Sequence, residues 1–469
     1  MMRLIRSEWT KFRSVRRWVI ASAAGAVLAI VLSTFFATSG STNANDGPQY
    51  VDQFHFVHQP LTGDGTIVAQ VTSQDGSHEW AKAGLMVKES AKSGAPYVAL
   101  FVTPGHGVRL QSNFGPEVTG TTGTTPRWLR LSRTGTQLTG FESTDGTQWT
   151  PLSTVNLAGL PATAEVGLFV TSPAVMSVDR EFGSTTLNFE PTLGRAIFDR
   201  VSLTTAAGGA IDGEWLAEDV VPPEAAENFG GLEPQLDGVT TVDGDTFTVE
   251  GSGDVGGRQW GDDDAVLNSL AGVLLTLIVI IVVSALFITS EFRKGLIRTT
   301  FTAAPRRGGP LLAKAAVIAP ITFVAGLVAA AGSYAISRPA YAANGYTAPS
   351  YPELPLHDPT VLRAVIGSAL MLSLVAVLSL SVGAILRRGA ATIALLMAVM
   401  VAPPILLGAL PLDVALWIGH NTPVAGMAIM QTRERWDTAI SPWGGLGVLA
   451  AYALVALVVA VWRVSRRDA

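Results

Sequence analysis

Six stretches of this chain are each long and apolar enough to cross a lipid bilayer, which takes about 20 helical residues. Apart from Arg363 and Arg463 near two of their ends, they contain no Asp, Glu, Lys or Arg. Soluble helices seldom stay apolar on every face over such a length, so the sequence predicts an α-helical polytopic membrane protein with six transmembrane helices. The predicted spans are residues 18–39, 266–289, 315–337, 361–386, 389–409 and 443–463.

Two of these spans have features that need a separate interpretation. The first follows a basic start and leads into small residues, "ATSGS", which is typical of a cleaved signal peptide. Its apolar core is longer than the about 7–15 residues of such peptides, and this length favours a retained helix. The fifth contains Pro403-Pro404, which predicts a kink because proline cannot donate the backbone hydrogen bond of a helix.

Basic residues are concentrated in four segments that flank or connect the predicted spans, namely 1–17, 290–314, 387–388 and 464–469. If six helices alternate in direction, these four segments lie on the same side of the membrane. Lys and Arg collect on the cytoplasmic side, so both termini are predicted to be cytoplasmic. The opposite side then receives residues 40–265, 338–360 and 410–442.

The net charge of −5 conceals a strong asymmetry along the chain. Residues 40–265 contain 29 acidic and 11 basic residues, a net charge of 11 − 29 = −18. The basic residues elsewhere fit membrane topology and anionic lipid headgroups, so no nucleic-acid partner is predicted. The chain has no cysteine, which excludes disulfides, thiolate nucleophiles and cysteine metal sites.

The first 17 residues predict an amphipathic helix. Ile5, Trp9 and Phe12 recur at helical spacing, and most basic residues, Lys11 among them, fall on other faces. A helix of this kind lies along the inner leaflet of a membrane. The alternative is a basic flank of the first span without structure of its own.

Residues 40–207 have a different pattern, with short alternating runs such as "TIVAQVTS", "YVALFVT" and "EVGLFVTS". Turn-forming residues interrupt them about every ten residues, which is typical of an antiparallel β-sandwich. Asp145-Gly146 predicts the tight turn of a hairpin, with Trp149 packed beneath it. Residues 208–265 are acidic with one further β-like stretch, and we expect a partly structured stalk leading to the second span.

Three runs in this region, "AKAGLMVKES" (81–90), "PRWLRLSRTGTQLTGFESTDGTQWTPL" (126–152) and "EVGLFVTS" (165–172), resemble concanavalin A-like (laminin G-like) jelly-roll domains. "AIFDRVSL" (196–203) is similar to the closing strand of that fold. The resemblance covers about residues 51–205 and implies a lectin-like scaffold, without implying sugar binding. The stretch Asp179–Gly194 is longer than the family usually has there, and is either a contact surface or a loose loop.

Candidate ligand sites in the β region are open to two interpretations. Trp80, Trp128 and Trp149 either stack on a glycan or similar ligand, or belong to the sandwich core, which is the favoured interpretation. Glycoside hydrolysis needs a pair of carboxylates flanking the bond, but the acids here are expected to be solvated surface groups (Glu79, Glu89, Glu142 and Asp145). The histidines match no standard zinc spacing, so no metal site is predicted (His55, His58, His78 and His106).

The basic segment "SEFRKGLIRTTFTAAPRRGGPLLAKA" (290–315) resembles the cytoplasmic loop after the second helix of ABC-2-type ABC transporter permeases. "RSEWTKFRS" near the start is similar to the N-terminal helix of that family, with Glu8, Trp9 and Lys11 matching. The resemblance covers residues 1–37 and 266–469. It implies a multi-pass protein of the bacterial cytoplasmic membrane, with its large domain outside.

The resemblance further implies that the basic segment is a coupling helix that fits a groove on an ATPase. The residues to which this role is carried over are Glu291, Phe292, Arg293, Gly295, Arg298, Thr299, Thr300, Pro305, Arg306 and Arg307. Arg306, Arg307 and Lys314 are expected to pair with lipid phosphates or with acids of the ATPase. The alternative is a basic loop held only against lipid.

The chain contains no GxxxxGK[ST] phosphate-binding loop. ATP and Mg are therefore expected on a separate ABC ATP-binding subunit, and no cofactor and no catalytic residue is expected on this chain. Six helices are half of what an ABC exporter uses, so a second permease, identical or different, is a further expected partner.

The absence of charges within the spans argues against ion-coupled transport. We therefore expect a lipid-like or amphipathic substrate. The apolar segment 410–442 is expected to form either short re-entrant helices broken at Asn421-Thr422-Pro423 or an interface helix. The alternative to an exporter is a membrane-anchored surface-binding or sensing protein whose helices signal rather than transport.

Overall fold

Helices and strands occupy separate parts of the chain. The computed structural model describes residues 1–39, 50–75, 78–115, 117–181, 184–222, 235–257, 264–293, 308–344, 354–432 and 438–466. Its α-helices are α1 (Met2–Ser14), α2 (Arg16–Ser39), α3 (Ala265–Ser269), α4 (Val273–Arg293), α5 (Gly309–Ala343), α6 (Pro359–Leu386), α7 (Gly389–Leu396), α8 (Ala402–Leu406), α9 (Leu412–Asn421) and α10 (Pro442–Arg466).

The six long apolar helices predicted from the sequence are confirmed. Within the residues that the structure describes, six helical segments are long and apolar enough to cross a membrane. They are Arg16–Thr38, Val273–Arg293, Gly309–Ala343, Pro359–Leu386, Gly389–Ala409 and Pro442–Arg466. Their length and composition make this a membrane-embedded protein.

The second span begins later than predicted. Residues 266–269 belong to the short helix α3, whose first turn is capped by the carboxylate of Asp264. At Gly272 the chain passes so close to α2 that an added Cβ would lie 1.9 Å from the carbonyl oxygen of Ala29. This close approach separates α3 from α4 and shifts the start of the span to Val273.

The fifth span is interrupted, as Pro403-Pro404 predicts. Between α7 and α8 the chain forms a π-helical turn, Met397–Val401, and a 3₁₀ turn follows at Leu407–Ala409. The prolines occupy the first turn of α8, where their missing N–H groups are tolerated. The π-helical turn therefore lies directly before the residues that cannot continue the hydrogen-bond ladder.

The β region forms two large antiparallel sheets among the described residues. One has the strand order β10-β9-β8-β3-β14-β17-β16, and the other has the order β15-β2-β11-β4-β5-β6-β7. The strands are β1 (Tyr50–Asp52), β2 (Phe54–Thr62), β3 (Gly65–Asp75), β4 (Lys82–Lys88), β5 (Tyr97–Thr103), β6 (Gly107–Ser112), β7 (Val118–Thr119), β8 (Arg127–Thr134), β9 (Gln137–Ser143), β10 (Thr150–Asn156), β11 (Thr163–Thr171), β12 (Val175–Glu181), β13 (Ser184–Glu190), β14 (Gly194–Thr205), β15 (Leu216–Val220), β16 (Val239–Asp243), β17 (Thr246–Gly251) and β18 (Val255–Gly257).

The two sheets pack face to face over a core of aliphatic side chains. Alternate residues of each strand point inwards, as the two-residue period of a strand requires. The inward residues of β3 and β8 meet those of β4 and β5 across this core. They are Ile67, Ala69, Val71, Leu129, Leu131, Ala83, Leu85, Val87, Val98, Leu100 and Val102.

The interpretation of residues 208–265 as a stalk differs from the structure. β15 pairs with β2, β17 pairs with β14, and β18 pairs with β1. β15 and β17 extend the two large sheets beyond residue 207, whereas β18 forms a separate two-stranded sheet with β1. Part of the segment that was expected to be a linker therefore belongs to the sandwich. The prediction differs from the structure because these strands pair with strands far away in the sequence, and the acidic composition of the segment gives no sign of such pairing.

Two hairpins also differ in detail from the prediction. β9 and β10 pair as expected, but residues 144–149 connect them instead of a two-residue turn. In this loop the N–H groups of Gln148 and Thr147 donate to the Asp145 carboxylate and hold the pKa of that group well below its usual range.

The long stretch Asp179–Gly194 contributes to the hairpin β12–β13, a two-stranded sheet outside the sandwich.

The segment between the fifth and sixth spans contains two short helices among its described residues. α9 ends at Asn421, Thr422 is extended, and a 3₁₀ helix covers Pro423–Met430. The break therefore falls where the sequence predicts it. The 3₁₀ helix packs closely on α10, because an added Cβ at Gly445 would lie 2.0 Å from the carbonyl oxygen of Ala425.

Replacing Gly445 with alanine should therefore destabilise the protein. The new methyl group has to push the 3₁₀ helix away from α10, and overpacking of this kind costs about 1–3 kcal/mol. We expect a lower apparent unfolding temperature of the full chain in detergent micelles. Gly447 is the matched control, since an added Cβ there would lie more than 4 Å from the neighbouring atoms that the structure describes. A loss of stability in Gly447→Ala as large as in Gly445→Ala would contradict the packing explanation.

Candidate functional site

Four charged side chains form a cluster that joins three helices at one end of the helical bundle. This count covers the residues that the structure describes. Glu8 and Lys11 come from α1, Glu291 from the last turn of α4, and Lys314 from the beginning of α5. The ammonium of Lys314 donates to Glu8 Oε2 at 2.5 Å and to Glu291 Oε1 at 2.9 Å. The ammonium of Lys11 donates to Glu8 Oε1 at 2.6 Å and to Glu291 Oε1 at 3.2 Å. The cluster is therefore electrically balanced.

Most of this cluster is shielded from solvent. The side chains of Lys314, Glu8 and Glu291 are 1%, 3% and 9% exposed, whereas that of Lys11 is 40% exposed. The Lys314 ammonium also lies 4.2 Å from the centre of the Phe287 ring. Because a charge left unpaired in such surroundings is costly, the pairing locks α1 onto α4 and α5.

Lys11 closes the exposed side of the cluster. Partial burial opposes its protonation, but the hydrogen bonds and charges of Glu8 and Glu291 outweigh this effect and raise the pKa of Lys11. The side chain therefore remains charged at neutral pH and keeps both carboxylates bridged.

The packing of α1 explains why Glu8 points into the protein. Ile5, Glu8 and Phe12 lie on one face of the helix at spacings of three and four residues. Phe12 is buried and contacts Phe287 edge-on, with ring centres 5.6 Å apart. The apolar face of α1 is thus turned towards the helical bundle.

One expectation for these residues was wrong. Lys314 does not pair with lipid phosphates or with an external acid, because it is buried against Glu8 and Glu291. The contact of α1 with α4 and α5, which the sequence does not encode locally, decides this orientation. Trp9 is 49% exposed while Ile5 and Phe12 pack on the core, and the interfacial role of this helix stays a prediction.

The cluster lies at both ends of the basic segment 290–314. Glu291 precedes the segment's central part and Lys314 ends it, so their hydrogen bond ties its two ends together. Phe292 is half-buried and lies beneath the guanidinium of Arg387 at 5.2 Å, and Arg293 is exposed. The other predicted coupling residues lie outside the described residues, and their role stays a prediction (Gly295, Arg298, Thr299, Thr300, Pro305, Arg306 and Arg307).

Sequence reasoning missed the pairing of Glu8, Glu291 and Lys314. One signal was nevertheless present. Glu8 is the only acidic residue in 1–17, and Glu291 is the only acidic residue in 290–314. Acidic residues contribute little to membrane topology, so topology does not explain a lone acid in a strongly basic segment, and its presence there indicates a specific internal partner.

The three tryptophans considered as ligand contacts, Trp80, Trp128 and Trp149, are half-exposed rather than buried in the core. Trp128 follows Arg127 and precedes Leu129 on β8, so strand alternation turns it to the outer face of its sheet. Each of these indole rings already has a side chain of the protein on it. The partner is an arginine for Trp128 and Trp149, and a stacked imidazole for Trp80. The pairs are Trp128 with Arg200 at 5.5 Å, Trp149 with Arg130 at 4.5 Å, and Trp80 with His106 at 3.4 Å. Ligand contact by these residues stays a prediction.

Several of the acids and histidines considered in the sequence are buried in the structure. Glu142 is buried, unlike the solvated acids expected, and accepts hydrogen bonds from the backbone N–H and the hydroxyl of Thr121. In the parts of the chain that the structure describes, no group of three or more His, Asp or Glu side chains could hold a metal ion. His55 and His58 are buried and contact acidic side chains.

Two buried ion pairs lie on the outer face of the second sheet. Lys88 donates to Asp52 at 2.8 Å, and Lys82 donates to Asp254 at 2.7 Å. Burial lowers the pKa of Lys88 and raises that of Asp52, and their mutual attraction offsets part of both shifts. The Lys88 ammonium also lies within 6 Å of three aromatic ring centres (Phe54, Tyr97 and Phe114).

Comparison with known proteins leaves the family open. No protein-family model and no curated protein matches this sequence. Among solved structures, the chain is 13% identical to scytalido-glutamic peptidase bound to a transition state analog inhibitor, covering 42% of this chain and 98% of the peptidase at a TM-score of 0.27. SCP-B, a member of the eqolisin family of peptidases, is 12% identical with the same coverage and a TM-score of 0.25. A functionally unknown protein from Saccharomyces cerevisiae is 16% identical, covering 32% of this chain and 75% of that protein at a TM-score of 0.21. At scores this low, the likeness supports no statement about fold family or activity.

Proposed function

We propose that this chain is the transmembrane permease subunit of an ATP-driven ABC exporter. It works with a separate ATP-binding subunit, which supplies ATP and Mg, and with a second permease. Both termini and the basic segment 290–314 face the cytoplasm, and the β-sandwich, a concanavalin A-like jelly roll, lies outside the bacterial cytoplasmic membrane. The substrate is a lipid-like or amphipathic molecule.

The observation that carries this proposal is the charge cluster of Glu8, Lys11, Glu291 and Lys314. It ties the ends of the basic segment to each other and to α1. A force applied to the segment therefore acts on α1, α4 and α5 together. A loop that only rests on lipid headgroups has no need of this cluster, since burying paired charges brings little or no net stability.

The hydroxyl groups inside the spans support an apolar substrate. Ser368, Ser381 and Thr392 donate to the carbonyl oxygen four residues earlier in their own helices. Ser373 donates to the carbonyl oxygen of Ala319 on the neighbouring helix. These four hydroxyl groups serve the backbone and helix packing, so these four do not form a polar path for an ion.

The test of this proposal is co-purification and ATP turnover. The full chain is purified in mild detergent with the product of a neighbouring gene that encodes a P-loop ATPase. We expect a stable complex that hydrolyses ATP, and a loss of complex formation or turnover in Arg298→Ala and Arg306→Ala. Arg466→Ala is the matched control, because Arg466 is a basic residue at the end of α10 and outside the proposed contact. The proposal fails if no ATPase binds, or if Arg298→Ala and Arg306→Ala behave like the natural chain and the control.

The sidedness is tested separately by cysteine labelling, which the cysteine-free sequence makes clean. Thr300→Cys probes the basic segment, and Lys92→Cys probes an exposed position in the β region. A membrane-impermeant maleimide added to intact cells should label Lys92→Cys alone, and both variants should react after permeabilisation. Labelling of Thr300→Cys on intact cells would overturn the proposed orientation.

A further inference from the structure

Two buried histidines of β2 fasten the outermost strands of the sandwich. His58 contacts Glu165 of β11 through Nδ1 at 2.7 Å and Glu218 of β15 through Nε2 at 3.0 Å. His55 contacts Asp219 of β15 through Nδ1 at 2.7 Å and the hydroxyl of Thr240 of β16 through Nε2 at 2.8 Å. Among the described residues, β15 and β16 each lie at one edge of the two large sheets.

The two histidines differ in the groups that face their rings. Both ring nitrogens of His58 face carboxylates, which only accept hydrogen bonds when ionised. Only the doubly protonated imidazolium can donate to both, whereas a neutral ring satisfies one and presents a lone pair to the other. His55 faces one carboxylate and one hydroxyl, and a neutral ring satisfies both, because the hydroxyl can donate.

The other groups around His58 do not replace a missing proton. The His58 side chain is 4% exposed, and the Phe56 ring stacks on it at 4.6 Å. Lys88 of β4 is the cross-strand neighbour of Glu165, but its ammonium donates to Asp52 and to the carbonyl oxygen of Ala95. On the β15 side the facing charge is Glu218, whose side chain is 53% exposed.

We propose that His58 is a pH-sensitive fastener of the edge strand β15. When His58 is protonated, it bridges β11 and β15 through its two carboxylate partners. When it loses its proton, the bond to one carboxylate is lost and the edge strand loosens. Within the described residues β15 pairs with β2 alone, so no second ladder holds it in place. The fastening is independent of transport and does not rest on the proposed exporter function.

Hydrogen exchange of the full chain in detergent micelles tests this inference. Amide exchange in 216–220 is measured at pH 5.5 and pH 8, which bracket the range where histidine changes charge, and is corrected for the intrinsic pH dependence of exchange. We expect the protection of β15 to fall about tenfold at the higher pH, the size expected for one buried polar group losing its partner. Protection of the central strands β4 and β5 should not change.

Three variants separate a pH switch from a merely structural contact. Glu218→Gln should keep β15 protected at both pH values, because a neutral His58 can donate to Glu165 and accept from the new amide. His58→Gln should leave β15 weakly protected at both pH values. His55→Gln should loosen β15 but keep the pH dependence. Equal pH dependence in the natural chain and in Glu218→Gln would overturn the proposal, as would a natural β15 whose protection does not change with pH.

Discussion

Replacing Lys314 with methionine should cause one of the largest losses of stability available in the helical part of this protein. The substitution leaves the carboxylates of Glu8 and Glu291 side by side and buried, with Lys11 as their remaining partner in the cluster. Breaking a buried ion pair by removing one partner costs about 3–5 kcal/mol. We expect a clear fall in the apparent unfolding temperature of the full chain in micelles, together with poor recovery of folded protein.

Two further variants identify the cause of that loss. Lys11→Met removes the cation that is 40% exposed, and exposed pairs contribute about 0–1 kcal/mol, so its effect should be small. The triple variant Glu8→Gln, Glu291→Gln and Lys314→Met removes the uncompensated charge and should recover much of the lost stability. If the triple variant is as unstable as Lys314→Met alone, lost packing of the lysine stem is the cause, and the electrostatic explanation fails.

The part of the fold that the sequence predicts best is the part that depends on local properties. An apolar run of sufficient length is a property of adjacent residues, and the six long helices follow from it. The ends of the helices depend on contacts with other helices, which is why α4 begins at Val273 rather than at 266. The close approach of Gly272 to Ala29 joins positions far apart in the chain, and no periodicity within either segment reports it.

The charge cluster could not be predicted for the same reason. Glu8 and Lys314 are 306 residues apart in sequence, and a sequence analysis assigns each to a flank of its own span. Basic residues near a span are ordinarily explained by topology, and this explanation hides the fact that Lys314 is buried. The isolated acids Glu8 and Glu291 were the only local indication that these segments contact something specific.

The extent of the sandwich was underestimated because edge strands carry a weak signal. β15 and β16 are largely exposed, so their sequences lack the alternation of apolar and polar residues that marks a half-buried strand. Their acidic residues, considered in the sequence alone, predict a solvated stalk. Two of these acids, Glu218 and Asp219, instead bind His58 and His55, so the composition that suggested a linker contributes to the closure of the sheets.

The largest expected effect in the β region comes from replacing Lys88 with methionine. The Lys88 ammonium donates to Asp52 Oδ2 at 2.8 Å, and both side chains are fully buried. Without the Lys88 ammonium, Asp52 Oδ2 still accepts a hydrogen bond from the backbone N–H of Gly94. The loss of one buried partner costs about 3–5 kcal/mol, which is a large part of the about 5–15 kcal/mol that stabilises a typical domain.

The pH dependence of the Lys88→Met variant provides an internal check. Burial raises the pKa of Asp52, and removing the lysine takes away the charge that offsets this shift. A carboxyl whose pKa is higher in the folded state than in the unfolded state favours folding below the unfolded value, about 3.9 for aspartate, and loses this contribution as the pH rises. The destabilisation should therefore be full at pH 7 and partly relieved towards pH 4.

Hydrogen exchange of β4 and β5 amides in the full chain separates this effect from changes in the helices. The double variant Lys88→Met and Asp52→Asn removes the buried charge and should restore most of the protection at pH 7. Lys92→Met is the matched control, because Lys92 is an exposed lysine in the loop that follows β4 and surface substitutions change stability by about 0.5 kcal/mol or less. Equal protection in Lys88→Met and Lys92→Met would show that the Asp52–Lys88 pair does not hold the outer face of the second sheet together.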